Sequence, residues 1–147
     1  MEQQLLTVRI GTFLFGAPVS AVTEILAEPG MTPIPKTPPM IAGVAVVRGQ
    51  PLTVLTLRPA LGLESGPVHM ALRWGGHRGT SLVAVDQVES LWTPGAPLPD
   101  DTWRDLVPPE AVPWITQGFR QNGQWLWAWA DDLPDRIQES AAASAHV

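Results

Sequence analysis

Catalysis would need polar groups that converge on one place, and this chain of 147 residues offers few candidates. Its three histidines are His69, His77 and His146. None forms the His-Glu-x-x-His spacing by which a zinc-protease helix presents its ligands. They read as surface histidines, because a zinc site needs three or four convergent ligands. There is no cysteine, which removes disulfides, thiolate metal sites and cysteine nucleophiles together. No serine sits in a Gly-x-Ser-x-Gly elbow. The run Gly75-Gly76-His77-Arg78-Gly79-Thr80 has the glycines of a phosphate loop but not its lysine. The segment after it reads as a strand, not as the helix whose N-terminus would hold the anion. The run is expected to be a hairpin turn. Neighbouring carboxylates at Asp100-Asp101 and Asp131-Asp132 would point to opposite faces of a strand, and read as solvated starts of elements. The sequence therefore implies no enzyme, no metal and no cofactor.

The side chains that stand out are suited to recognition instead. Val44 to Val47 and Leu52 to Leu57 are apolar runs around Arg48-Gly49-Gln50. They read as paired strands with Arg48 directly before the turn glycine. A guanidinium there has two open roles. It can bond several backbone carbonyls while its stem covers apolar strand surface, or it can present a fixed fork to a carboxylate across an interface, which lysine cannot copy. The second unusual run is Trp125-Leu126-Trp127-Ala128-Trp129-Ala130. Alternation sets the tryptophans on one face and Leu126, Ala128 and Ala130 on the other. The stripe either fills a core opposite small residues or forms an aromatic platform for a sugar or a peptide.

These residues must be positioned by short elements. Sixteen prolines and thirteen glycines leave little room for long helices. Frequent short strands imply an all-β sandwich or barrel, and 45% apolar content is enough for a core. The net charge of −5 and only nine scattered basic residues argue against nucleic acid. The first residues, MEQQLLTVRIGTFLF, lack the basic start and unbroken apolar stretch of a signal peptide. No run reaches the roughly 18 apolar residues of a membrane span. The expectation is a soluble cytoplasmic protein without direct membrane insertion.

The chain also repeats itself. Residues 5–26 and 69–92 share a plan: a strand ending Arg-apolar-Gly (Arg9-Ile10-Gly11; Arg73-Trp74-Gly75), a second strand, two valines three apart (Val19 and Val22; Val85 and Val88), then a short acidic-apolar strand. The valine step predicts one helical turn in each half. Residues 41–57 and 115–130 then match as hairpins, with Asn122-Gly123 a strong turn signal where the first half has Arg48-Gly49. The reading is two five-stranded barrel-like subdomains sharing a core, at about 5–66 and 67–137, joined at Glu64-Ser65-Gly66-Pro67. Helical turns are expected at Pro38 to Ile41, at Arg58 to Leu61 and around Asp101 to Leu106, the first two because proline suits a helix start. An irregular loop is expected over Thr93 to Pro113, and a flexible Ala/Ser-rich tail over 138–147.

The residues Val19 to Ile25, Ile34-Pro35, Pro38 to Val44, Arg48-Gly49 and Val54 to Arg58, and more weakly Leu82 to Val88 and the last hairpin, resemble the CheW-like adaptor domain of bacterial chemosensory arrays. The resemblance covers residues 5–137. It implies two intertwined five-stranded barrels related to SH3-like domains, and no catalysis. It implies two partners: the CheW-like (CheA-like) regulatory domain of a histidine kinase, and the helical cytoplasmic tip of a chemoreceptor. By position, Val22, Glu24 and Ile25 fall in the kinase-facing strand region. Arg48 and Gly49 fall on the family's Asn-Leu-Arg-Gly motif, and Arg58 on its Asp-Leu-Arg. The chain departs from those motifs with Val46 in place of the asparagine and Thr56 in place of the aspartate. A type IV pilus or other non-flagellar pathway stands open beside a flagellar one. The alternative function is a carbohydrate- or peptide-binding β module using Trp125, Trp127 and Trp129. For either function, elemental analysis of the purified protein should find no stoichiometric transition metal; finding one would overturn the reading of the histidines.

Overall fold

The computed structural model describes residues 3–145, with 141–145 described by backbone alone. The first half gives β1 (Leu5–Ile10), β2 (Phe13–Pro18), β3 (Val22–Ala27), a two-residue β4 (Met31–Thr32), β5 (Ile41–Val47) and β6 (Gln50–Leu55). The second gives β7 (Met70–Gly76), β8 (Gly79–Val85), β9 (Gln87–Trp92), β10 (Ile115–Gln121) and β11 (Gln124–Trp129), and then one helix, α1 (Leu133–Ala145). No helix among the described residues is long and apolar enough to cross a membrane.

Two sheets form, ordered β10-β11-β2-β1-β9 and β3-β7-β8-β6-β5-β4. Each takes its central hairpin from one half and its remaining strands from the other. The hairpin β1–β2 pairs with β9 on one side and, in parallel, with β11 on the other. The hairpin β7–β8 pairs with β3 and, in parallel, with β6. The repeat is therefore real in the fold, but the two subdomains do not divide at residues 66 and 67. A hairpin leaves backbone donors and acceptors open along both outer edges. Here strands of the opposite half satisfy them.

Each sheet curls around a small core of its own. Leu5, Leu14, Phe119, Leu126 and Ala128 fill the first; Ala45, Val47, Leu52, Val54, Ala71 and Leu82 fill the second. A larger core lies between the sheets and includes Val8, Phe15, Leu72, Trp74, Trp127 and Trp129. Alternation along β11 serves both: Leu126 and Ala128 enter the barrel, while Trp127 and Trp129 enter the joint core. Trp129 stacks on Phe15 at 4.8 Å between centroids. Trp74 donates its indole N–H to the Asp131 carbonyl at 2.7 Å. The tryptophan stripe is thus core, with Trp125 partly buried at its end, and the aromatic platform is ruled out by burial.

The connecting segments fold over the hairpins in the same way in both halves. Met31 and Thr32 pair with β5, and Leu98 bridges to Gly118 on β10. Both crossings need a glycine beneath. A Cβ on Gly118 would lie 2.5 Å from the Trp103 ring, and one on Gly43 would collide with the Thr32 carbonyl. The loop over Thr93 to Pro113 carries short 3-10 turns at Asp100–Thr102, Arg104–Leu106 and Val112–Trp114.

Some local expectations need correction. The valine step is a 3-10 turn at Val19–Ala21 but only a bend in the second half. There the Asp86 N–H bonds the Arg9 carbonyl at 2.8 Å, where the chain bends from β8 in one sheet into β9 in the other. The Pro38 to Ile41 stretch is a β-turn closed by Ile41 N–H to the Pro38 carbonyl, whereas Pro59–Leu61 is the helical turn expected there. Residues 138–145, read as a flexible tail, continue α1; His146 lies outside the described residues. Leu133 and Ile137 are fully buried, and Gln138 donates to the Ser81 hydroxyl at 3.0 Å. Asp135 accepts the backbone N–H groups of His77 and Arg78 at 3.1 and 3.3 Å. The glycine run that resembled a phosphate loop is a hairpin turn that holds the chain's own carboxylate.

Because Trp127 is 5% exposed between the sheets, Trp127→Ala should cost about 3–5 kcal/mol in a chemical melt. A loss below about 1 kcal/mol, the range of surface substitutions, would remove Trp127 from the core.

Candidate functional site

Each half places an arginine near the end of its first strand, on the face that lines the barrel. Arg73 on β7 shares a face with Ala71, and Arg9 on β1 shares one with Leu5. Each arginine clamps a glutamate and a glutamine. Arg9 Nε donates to Glu89 at 3.0 Å and its Nη2 to Gln124 at 2.6 Å. Arg73 donates to Glu24 at 3.5 Å and to Gln50 at 3.1 Å. The two clamps are equivalent, and both tie strands of opposite halves together. They explain the repeated Arg-apolar-Gly signature: the stem covers the barrel mouth and the head reaches polar partners at its rim.

The two mouths differ at the hairpin turn. Arg48-Gly49 and Asn122-Gly123 both have positive φ at both positions, +48° and +82° in one and +50° and +80° in the other, as a type I′ turn requires. Asparagine tolerates that region; arginine is seldom found there. The turn itself does not call for an arginine, so what this position adds is its side chain. Its Nη1 and Nη2 donate to the two carboxylate oxygens of Glu24 at 2.8 and 2.5 Å. The fork serves a carboxylate of its own chain, not backbone carbonyls. The side chain is still 63% exposed, and a guanidinium bound this way keeps N–H groups free for a further acceptor. The guanidinium of Arg48 holds the Glu24 carboxyl below the usual carboxylate range, against the opposing effect of partial desolvation and with lesser help from Arg73. The same contact raises Arg48.

Glu24 also lies on the rim of a shallow groove where β3, an edge of one sheet, faces β9, an edge of the other. Leu6, Val19, Val22, Ile25 and Leu91 line it with Glu24. Ile25 and Leu91 stand 45% and 60% exposed on its walls. Val22, Glu24, Ile25 and Arg48 are therefore brought to one region. Gly49 serves the turn. Arg58 lies elsewhere, on a cleft with Met31 and Ile41. It donates to both Asp86 oxygens at 2.9 and 3.0 Å and to the Glu64 carbonyl at 2.6 Å, while Asp86 also accepts the Gly11 N–H at 2.6 Å. Arg58 thus braces the joint between the halves. Thr56, in the aspartate's place, accepts the Arg58 N–H at 3.3 Å. Sequence reading missed Leu6 and Leu91 on the groove, and Arg73 and Gln50 in the clamp. The repeated Arg-apolar-Gly was visible, but its partners come from the opposite half.

Among the described residues no three His, Asp or Glu side chains are grouped to hold a metal ion. His69 meets only Glu28, at 3.1 Å on the surface.

Residues 4–90 match the family model of the CheW-like domain. The protein PilI of Pseudomonas aeruginosa is 33% identical over 124 residues, which cover 80% of this chain and 67% of PilI. The protein FrzA of Myxococcus xanthus is 41% identical over 56 residues, 38% of this chain and 35% of FrzA. The crystal structure of the scaffolding protein TtCheW from Thermoanaerobacter tengcongensis matches with a TM-score of 0.69 at 16% identity, over 88% of this chain and 90% of that one. At that identity the match shows the shared two-subdomain fold.

The ion pair has a pH signature. In an NMR titration Glu24 should titrate below the usual glutamate range, and should return towards it in Arg48→Met. The folded-state value is the depressed one, so the pair's stabilisation is complete above the range of an unfolded glutamate. It is lost as pH falls through the folded value. Because the pair is exposed, melts of the wild type and of Glu24→Gln should differ only slightly at neutral pH and converge in acid. An ordinary Glu24 titration would show that the pair does not form in solution.

Proposed function

Because the chain belongs to the CheW-like domain family, we propose that it is a non-enzymatic scaffold coupling chemoreceptors to a chemotaxis-type histidine kinase. The observation that carries this reading is the meeting of an apolar groove and a half-satisfied arginine fork on one region of the surface. The groove runs between two sheet edges, with Val22, Ile25 and Leu91 presenting aliphatic surface. That shape suits the apolar face of an amphipathic helix, which docks through side chains at helical spacing. A receptor's helical tip is such a partner. This reading moves Val22 and Ile25 from the kinase, to which their position in the family would assign them, to the receptor.

The kinase's CheW-like regulatory domain is then assigned to the end of the β5–β6 hairpin. Arg48 has its side chain largely in solvent, with donors beyond those that Glu24 occupies. A carboxylate on the partner can share the fork, and its desolvation on docking makes such a contact count. The rival reading, a sugar- or peptide-binding module, relied on an exposed tryptophan stripe. Burial of Trp127 and Trp129 removes its basis.

The test uses the purified protein with the kinase and a receptor signalling fragment from the same cell. Arg48→Glu should keep its circular dichroism spectrum and its melting temperature near the wild type, because the lost ion pair is solvent-exposed. It should bind the kinase regulatory domain about 30- to 5,000-fold more weakly. Arg48→Lys should be intermediate, keeping the charge and losing the fork. The swap Glu24→Arg with Arg48→Glu should restore the internal pair and not the binding. Normal binding by Arg48→Glu, or full rescue by the swap, would show that Arg48 acts only within its own chain.

A further inference from the structure

The repeat supplies an internal control for the β5–β6 hairpin. It aligns with β10–β11 without a gap, from Ile41 beside Ile115 to Leu55 beside Trp129. Gln50 and Gln124 do the same work in the two clamps. What the fold demands of such a hairpin can therefore be read from what the two copies share. The second cross-strand pair from the turn is not shared. In one copy it is Arg120 opposite Trp125, and in the other Val46 opposite Pro51.

Arg120 packs on Trp125, with the guanidinium 4.8 Å from the centroid of the indole ring. The cation lies over the ring, so the indole is partly buried although Arg120 itself is exposed. Val46 has no such cover. It is 63% exposed, and Pro51 opposite it is exposed as well. An aliphatic side chain in that position is not required by the hairpin, since its counterpart is a charged one. Nor is it placed there by the turn, which Asn122-Gly123 makes equally well.

Val46 stands two residues from Arg48, whose fork is the exposed cation of this hairpin. Arg48 and Arg73 together outnumber Glu24, so this end carries local positive charge in a chain whose net charge is −5. We propose that Val46, with Pro51, is a specificity-determining contact that seats an apolar side chain of the same partner whose carboxylate Arg48 receives. The partner so defined is an acidic protein surface with an aliphatic or aromatic residue beside a carboxylate. This rests on the assignment of Arg48 to the kinase regulatory domain. It adds that an uncharged pad, and not the fork alone, selects among such domains.

The experiment titrates the purified regulatory domain of the kinase from the same cell into wild type, Val46→Asn, Val46→Thr, Val46→Ile and Arg48→Glu, each checked for folding by circular dichroism. Val46→Asn should weaken binding about 10-fold, in the range of an interface side chain that matters. Val46→Thr, nearly the same shape and a good strand former, should weaken it in the same direction, and Val46→Ile should keep it. If Arg48→Glu loses binding while Val46→Asn and Val46→Thr bind like the wild type, the assignment of Arg48 stands and the pad is refuted. If Arg48→Glu binds normally, that assignment fails and takes this inference with it. If the Val46 variants lose only self-association, measured by sedimentation, the pad belongs to a second copy of this chain and the inference is wrong.

Discussion

The contact on which the rest of the molecule depends is the packing of Trp74, Trp127 and Trp129 with Phe15 between the two sheets. Neither barrel encloses much on its own; one interior holds five buried side chains and the other six. Domains of such small size bury too little surface to be stable alone. The aromatic layer gives both sheets a common apolar face, and burial of that face is the main source of cohesion. It also fixes the angle at which β3 and β9 face each other. The groove is therefore a consequence of the joint core: its floor is Leu6, a member of that core, and its walls are the two edges the core holds apart.

Exchange of strands between the halves arises from the same need. Each hairpin must pair its edges, and the strands that do so arrive from the other half. The arginine clamps repeat this arrangement at side-chain level, since Arg9 reaches Glu89 and Arg73 reaches Glu24 across the exchange. Arg58 and Asp86 add a third tie at the turn of β1–β2. These ion pairs are partly exposed, and exposed pairs contribute little to stability individually. Their value here is in register. Moving a strand by one residue would put each clamp's glutamate on the opposite face.

Much of the fold was legible in the sequence, and the parts that were not share a cause. Alternation along β11, the Asn122-Gly123 turn and the punctuation by proline and glycine are local signals, and the elements they predict are present. The repeat was visible as spacing. Which strand of one half pairs with which strand of the other is non-local, so the subdomain boundary at 66 and 67 could not be corrected from within either half. The helix α1 was missed for a related reason. An Ala/Ser-rich stretch shows little periodic apolar pattern, and isolated short helices are marginal in water. What holds this one is tertiary: Leu133 and Ile137 buried, and Asp135 bound to the β7–β8 turn. For the tryptophan stripe, alternation gave the faces correctly but could not say that both faces of β11 are covered, because that depends on the second sheet.

The two hairpin turns set Arg48 apart from the framework around it. Both copies of the hairpin need a residue at positive φ before glycine, and Asn122 meets that need with a side chain suited to it. Arg48 adopts the same backbone against its own preference. The clamp of Arg73, Glu24 and Gln50 is complete without it, as the equivalent clamp of Arg9, Glu89 and Gln124 shows. Arg48 is thus an addition to a finished structural unit. It occupies Glu24 at the rim of the groove and leaves its remaining donors in solvent. One symmetric framework therefore offers two unlike ends, Arg120 packed on Trp125 at one and an open arginine beside Val46 at the other. For a scaffold this asymmetry has a physical consequence: partners of like fold can still tell the two ends apart, because the difference lies in charge and exposed apolar surface and not in the course of the backbone.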